Sequence, residues 1–369
     1  MLPVTKTGNI KLKQISYQEL LIEVQEVYDL LHKLVNSDRK ISSHISTSLI
    51  PYLSFLCDGL DYFHEGTKKV HSSWYDEIKG NTPKQLIKDS RSALKLYSEY
   101  KGNKIITELG DDTSLFYEYL TRDYNFLQNA YIKLFGQHDL GIFYFRNIDY
   151  ANTYQLFKNT KTIYIANKKD IGPLMSEFGM ILSNYISKAS IYLMRKSINK
   201  VFSLKSDFTY EDVYFKDSKR FNAFNNTENK YWRLFIYNYY CQNNFIRYIL
   251  PIVLGVRGNF YYRMKFCSYL LSIKGLYLLS KRVPGITKEY PVIDELIKVR
   301  EDIIPIKSTL RNNLFHYNIM SMPSEVFEEK GNIFKGMVEY SINKPFKEFD
   351  VQVDQELDKY QELINRILF

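Results

Sequence analysis

Cysteine is scarce in this chain. Only three cysteines, Cys57, Cys241 and Cys267, occur among 369 residues, and they are far apart. An odd number of widely spaced cysteines gives neither a disulfide framework nor the paired spacing of a zinc site. The first residues also contain no apolar core of the kind found in signal peptides. We therefore expect a cytoplasmic protein that carries no metal and no other cofactor.

Long hydrophobic runs are missing as well. The most apolar stretches, residues 248–256 and 269–279, are too short or too interrupted by charge to cross a bilayer. Proline and glycine are few, with 10 and 16 copies, whereas hydrophobic residues make up 45% and charged residues 25% of the chain. This composition is typical of a folded globular protein and argues against a disordered chain. We expect no association with membranes.

Positive charge exceeds negative charge, with 50 Lys and Arg against 41 Asp and Glu and a pI of about 9.0. A net charge of +9 suits an anionic partner such as RNA or DNA. The charges are spread along the chain, however, so a generally solvated lysine-rich surface explains them equally well. Composition alone permits nucleic-acid binding without establishing it.

Most of the chain has apolar residues at helical spacing, as in the stripe of Leu20, Val24, Val27 and Leu31. The pattern predicts helices at 17–34, 47–63, 84–100, 114–135, 173–202, 231–250, 258–279, 292–304, 306–319 and 352–368. Between residues 141 and 168, the β-prone runs GIFYFRNI and KTIYIANK predict a small strand pair. We therefore expect a mainly α protein with an N-terminal helical region of unknown role, residues 1–165, and a second helical domain, residues 166–369.

A polar cluster lies within the predicted helix at 306–319. Leu310, Leu314 and Tyr317 continue an apolar stripe, and at about 100° per residue Arg311, Asn312 and His316 fall on the opposite arc. Histidine titrates near neutrality and transfers protons, while arginine offers a permanently charged fork for phosphate oxygens. Asparagine can orient the histidine or donate to the phosphate. These three side chains suit cleavage of an RNA phosphodiester without a metal.

The segment LRNNLFH, residues 310–316, resembles the signature of HEPN domains, in which Arg, a polar residue and His follow an Arg-polar-x-x-x-His pattern within a helix. The resemblance covers the second half of the chain. It implies a helical bundle, a homodimer with a composite active site, and an endoribonuclease that leaves 2′,3′-cyclic phosphates. Arg311 and His316 would be catalytic and Asn312 supporting. Family members include toxins with an antitoxin or regulatory partner and abortive-infection proteins of anti-phage defence.

Several other residues are candidates for RNA contact. Arg257, Arg263 and Lys265 alternate with tyrosines and form the strongest basic-aromatic cluster outside the motif; the alternative is a helix whose cations lie around a core stripe. Lys307 and Tyr317 border the motif and are included as RNA contacts.

A second Arg-x4-His, Arg39 to His44, has Lys40 in place of the polar asparagine. We interpret it as a chance match, with a second half-site as the alternative. Two further alternatives stay open for the whole chain. One is a non-catalytic HEPN module that binds RNA or protein, and the other is an all-helical interaction protein with a chance motif.

Overall fold

The computed structural model of the protein describes residues 6–35, 39–63, 83–167, 171–191, 207–255, 257–303, 310–317, 319, 322–328 and 332–369. The fold is mainly α, as the sequence predicts, with one small sheet. Its first helices are α1 (Lys6–Val35), α2 (Arg39–Phe63), α3 (Pro83–Ala93), α4 (Lys104–Thr121) and α5 (Phe126–Phe135). Strands β1 (Leu140–Phe145) and β2 (Ile148–Asn152) lead into α6 (Thr153–Asn167) and α7 (Ile171–Ile191), and β3 (Phe208–Val213) follows.

The remaining elements are helical. They are α8 (Lys230–Asn244), a π-helical turn (Phe245–Ile249), α9 (Leu250–Leu254), α10 (Asn259–Ser280), α11 (Ile286–Glu289), α12 (Val292–Ile303), α13 (Leu310–Phe315), α14 (Glu325–Glu328), α15 (Ile333–Ile342) and α16 (Phe346–Leu368). Helices α8 and α10 are buried along most of their length and pack against each other. In the part of the chain that the structure describes, no helix is both long enough and apolar enough to cross a membrane.

The sheet has the order β2-β1-β3, and both pairs are antiparallel. Arg146 and Asn147 join β1 to β2 with φ angles of 50° and 63°, the two-residue turn that matches the twist of a hairpin. The strand prediction is confirmed for GIFYF, but KTIYIAN is wrong as a strand because it forms the end of α6. The third strand, β3, comes from a polar, turn-rich stretch that does not predict a strand. Its residues are polar because β3 lies at the edge of the sheet, where most of them are exposed.

The residues before and after position 165 share one interior. Strand β1 pairs with β3 from the later part of the chain, and residue 165 itself lies inside α6. One apolar cluster joins Leu109 of α4 to Leu276 of α10. A second cluster joins Val27 of α1 to Phe260 of α10. Residue 165, the predicted boundary, therefore lies inside α6, and the sheet and both apolar clusters contain residues from either side of it.

Gly59 of α2 lies where α2 meets the segment that follows α13. A Cβ added to Gly59 would lie 2.3 Å from Cδ2 of Tyr317 and 3.2 Å from Cδ1 of Leu20. Both neighbours are buried, and the Tyr317 hydroxyl donates to Glu23, so the ring has little freedom to move. Glycine is thus required here by close packing rather than by backbone conformation.

We expect Gly59→Ala to lower the free energy of unfolding by about 1–3 kcal/mol, because overpacking outweighs the gain of about 1 kcal/mol in helix propensity. Gly110→Ala in α4 is the matched control, since a Cβ there meets no atom within 4 Å. It should stabilise the protein by about 0.5–1 kcal/mol. Urea unfolding midpoints measure both changes. Equal stability of the two variants would contradict the packing argument.

Candidate active site

Helix α13 carries the motif and orients it by burying its apolar side. Leu310 and Leu314 are fully buried, whereas Arg311, Asn312 and His316 are exposed to solvent. Six residues of this helix are described, and a segment of that length is too short to be stable by itself. Its position is therefore determined by contacts with the rest of the protein.

Arg263 of α10 makes polar contacts with α13 from the core side. Its Nη1 donates to the carbonyl oxygens of Asn313 and Leu314, at 2.8 and 3.1 Å. These are orphan acceptors at the end of a helix, which need a partner when buried. The side chain of Arg263 is 0% exposed, and its Cζ lies 4.4 Å from the centre of the Tyr317 ring. The Arg263 guanidinium thus supports the end of the motif helix from the core side.

Two carboxylates of α1 balance the charge of Arg263. Glu23 lies 2.8 Å from Nε of Arg263, and Glu19 accepts a hydrogen bond from its Nη2. The Tyr317 hydroxyl also donates to Glu23. Burial raises the pKa of Glu19 to about 7 and also raises that of Glu23, while the nearby guanidinium opposes both shifts. The motif is therefore attached to α1 through a buried ionic network.

This network corrects part of the predicted RNA surface. Arg263 and Lys265 are both fully buried, and Lys265 is paired with Asp350 and Asp354 at 2.5 and 2.7 Å. Tyr317 is 4% exposed and belongs to the core. Charges that already have internal carboxylate partners are not available to a phosphate backbone. Arg263 and Lys265 therefore support the fold rather than forming a surface for RNA.

The other predicted residues lie in different places. Arg257 is exposed, and its Cζ lies 5.7 Å from the centre of the Tyr261 ring. It does not line either of the two cavities next to Asn312 and His316. Lys307 and the side chains of Arg39 and His44 lie outside the described residues. Of the predicted residues, Arg311, Asn312 and His316 are brought together in one cavity lining, although the helix ends at Phe315 and His316 follows its last residue.

The exposed face of α13 opens onto a groove with two adjoining cavities. The aromatic cavity, of about 350 Å³, is lined by Asp58 and Tyr62 of α2 and by Tyr317. The cationic cavity, of about 270 Å³, is lined by Lys88, Lys95, Lys274 and Arg311. The residues shared by both are Phe55, Arg91, Asn312, Phe315 and His316. Arg91, Asn312 and His316 thus stand where the two cavities meet.

Arg91 of α3 links three elements at this junction. Its guanidinium donates to the Asp58 carboxylate and to the carbonyl oxygen of Phe315, and its Nη2 lies 3.2 Å from Nδ1 of His316. Because a guanidinium has only donors, Nδ1 of His316 must be the acceptor. The geometry therefore assigns the neutral tautomer of His316, with its hydrogen on Nε2.

The electrostatics of the groove favour the same neutral form. Burial against the groove walls lowers the pKa of His316 from its ordinary value of 6.5, and the positive charge of Arg91 lowers it further. Lys95 and Arg311 act in the same direction, while the Asp58 carboxylate opposes them. A depressed pKa leaves the imidazole uncharged at neutral pH and able to accept a proton.

Sequence reasoning missed Asp58, Arg91, Lys95 and Lys274, which complete the groove. One signal was present, because Lys88, Arg91 and Lys95 are spaced three and four residues apart, a positive stripe at helical period. Nothing in the sequence places that stripe beside residue 316, more than 220 positions later. Asp58 and Lys274 give no sequence signal that distinguishes them from other charged residues.

The described residues include no group of three or more His, Cys, Asp or Glu side chains placed to hold a metal ion. The charged groups at the groove are instead mainly cations and one histidine, a set that suits an anionic ligand. Comparison of the chain with family models, with curated proteins and with solved structures gives no significant match.

Proposed function

We propose that the protein is a metal-independent endoribonuclease of the HEPN type. The observation that carries the proposal is the junction of the two cavities, where a neutral histidine lies beside the guanidinium of Arg91. Arg311 and Asn312 line the same cationic cavity as His316. A proton acceptor next to two permanent cations is the set of groups that phosphodiester cleavage requires.

The reaction we propose is attack by the ribose 2′-oxygen on the adjacent phosphorus. His316 accepts the 2′-hydroxyl proton, the P–O5′ bond breaks, and the imidazolium returns that proton to the departing 5′-oxygen. The products are a 2′,3′-cyclic phosphate and a 5′-hydroxyl, and no water is consumed. Arg311 stabilises the negative charge of the phosphorane. When a phosphate oxygen attracts Arg91, Nδ1 of His316 is released to act as the base.

The resemblance to HEPN proteins extends the proposal to biological context. We infer a role in anti-phage defence or as a toxin, with two copies of the chain joined as a homodimer and a regulatory or antitoxin partner that restrains cleavage. In that assembly the groove of one copy lies next to the motif of the other. The contacts of Arg91 with Asp58 and His316 lie within one chain, and the composite active site would form where two such junctions meet.

The test is RNA cleavage by the purified protein in the presence of excess EDTA. We expect cleavage to persist, because no step uses a metal, and the new 3′ ends to resist ligation until a phosphatase that opens cyclic phosphates has acted. Mass spectrometry of a short oligonucleotide product should show the cyclic phosphate. Loss of cleavage in EDTA, restored by added Mg²⁺, would refute the mechanism, as would products with 5′-phosphates.

A second candidate function is RNA binding without cleavage. The observation in its favour is that Arg91 already occupies Nδ1 of His316, the nitrogen lone pair that a general base needs. If Arg91 stayed there in the complex, the groove would hold RNA but leave it intact. The same assay separates the two functions, because a binding protein would retard RNA on a native gel and leave its length unchanged.

A further inference from the structure

We propose that the groove binds one nucleotide in two parts, with its base in the aromatic cavity and its 3′-phosphate in the cationic cavity. The inference rests on the proposed function for the identity of the polymer as RNA. Its geometry comes from the two adjoining cavities and from the residues at their junction. It identifies which parts of the substrate the groove recognises and which base it disfavours.

The cationic cavity is suited to a phosphate because positive charges are gathered there without a lining carboxylate. Among its described lining residues, five are Lys or Arg and none is Asp or Glu. Burial lowers the pKa of Lys274, and the neighbouring charges of Arg311 and Lys95 lower it further, while Glu99 opposes them. Cations that disfavour one another are stabilised when an anion is placed between them.

The aromatic cavity is suited to a base. Phe55 and Tyr317 form its floor, with ring centres 5.2 Å apart, and both are almost fully buried. Tyr62 is 49% exposed, although it lines the same cavity. An aromatic ring with a solvent-exposed face is a typical surface for base stacking. A base there would leave its sugar and phosphate beside Arg91 and His316.

Asp58 gives this cavity a preference among bases. Arg91 takes only one of its two carboxylate oxygens, Oδ2, and an ionised carboxylate accepts hydrogen bonds but donates none. Guanine presents two adjacent donors, the N1 hydrogen and the 2-amino group. Uracil presents one donor between two carbonyl oxygens, which a carboxylate repels. The cavity should therefore favour guanosine and disfavour uridine.

Calorimetric titration of the full chain with guanosine 3′-monophosphate, uridine 3′-monophosphate and inorganic phosphate tests the two-part site. We expect the guanosine nucleotide to bind about 10-fold or more tightly than the other two ligands. Tyr62→Ala should weaken its binding about 10-fold and leave phosphate affinity unchanged. Lys274→Ala should weaken both ligands. The control is Tyr131→Ala in α5, an exposed tyrosine that lines neither cavity.

Two results would overturn the inference. One is phosphate bound as tightly as the guanosine nucleotide, and the other is unchanged nucleotide affinity in Tyr62→Ala. Because the ligands are not cleaved, the outcome is separate from that of the cleavage assay. Binding through Tyr62 by a protein that does not cut RNA would support the nucleotide site and reject the ribonuclease. RNA cleavage together with unchanged nucleotide affinity in Tyr62→Ala would support the ribonuclease and reject the nucleotide site.

Discussion

His316→Ala is expected to lower the rate of metal-independent RNA cleavage by a factor of about 10²–10⁴, the usual contribution of a general acid-base residue. Arg311→Ala should cost a factor of about 10²–10³, because it removes charge stabilisation from the phosphorane. His138→Ala is the matched control, since His138 is exposed and stacks on Tyr214 at 4.0 Å, away from the groove. Initial rates with a labelled oligonucleotide, at equal folded protein, measure all three.

The pH profile adds a readout that a structural role would not affect. The neutral imidazole is the active form, so kcat/KM should fall as the pH drops through the pKa of His316. Because that pKa is lowered, the fall should begin below the ordinary value of about 6.5. A variant without His316 should lose this limb of the profile. Full activity in His316→Ala, or loss in His138→Ala as well, would contradict the assignment.

Arg263→Ala is expected to lower the free energy of unfolding by about 3–5 kcal/mol, the typical cost of breaking a buried ion pair by removing one partner. The change leaves Glu19 and Glu23 buried without this cation and removes the guanidinium donor from the carbonyl oxygens of Asn313 and Leu314. Arg366→Ala is the control, because the Arg366 side chain is 69% exposed and pairs with Glu362 on the same helix. Such a surface pair contributes about 0–1 kcal/mol.

The loss of unfolding free energy in Arg263→Ala should depend on pH. A carboxyl whose folded pKa lies above its unfolded value destabilises the fold at high pH and ceases to do so when it is protonated. Burial already raises the pKa of Glu19 to about 7, and removal of the guanidinium takes away the opposing effect. Because the pKa of Glu19 is higher still without the guanidinium, the deficit relative to wild type should be largest at high pH and shrink as pH falls towards about 7. The network would be rejected if Arg263→Ala shifted the urea midpoint by less than Arg366→Ala does at every pH.

The apolar pattern of the sequence predicted the fold class and several helices well. The stripe of Leu357, Leu363, Ile364 and Ile367 is buried in α16, and Leu310 and Leu314 are buried in α13. Burial of one face is a local property that the period of a helix reveals. The same reasoning predicts the exposed positions of Arg311 and Asn312 in α13 and of His316 just after it.

The roles of Arg263 and Lys265 are determined by contacts with residues that are distant in sequence. Arg263 and Lys265 look like surface cations until Glu19 and Asp350 are known to lie beside them, 244 and 85 positions away. Arg91 is an ordinary helical arginine until α3 packs near His316. A charge pattern indicates that partners are needed, but it does not indicate which ones. The groove therefore could not be assembled from the sequence.

The attachment of α13 to α1 also determines when the groove can form during protein synthesis. Glu19 and Glu23 are made about 240 residues before Arg263, and a ribosome adding roughly 5–20 residues per second needs on the order of 12–50 s to cover that distance. Until Arg263 and α13 have left the ribosome, the two carboxyls have no guanidinium and Arg91 has no His316. A nascent chain that stalls before Leu310 therefore carries the walls of the groove without its histidine.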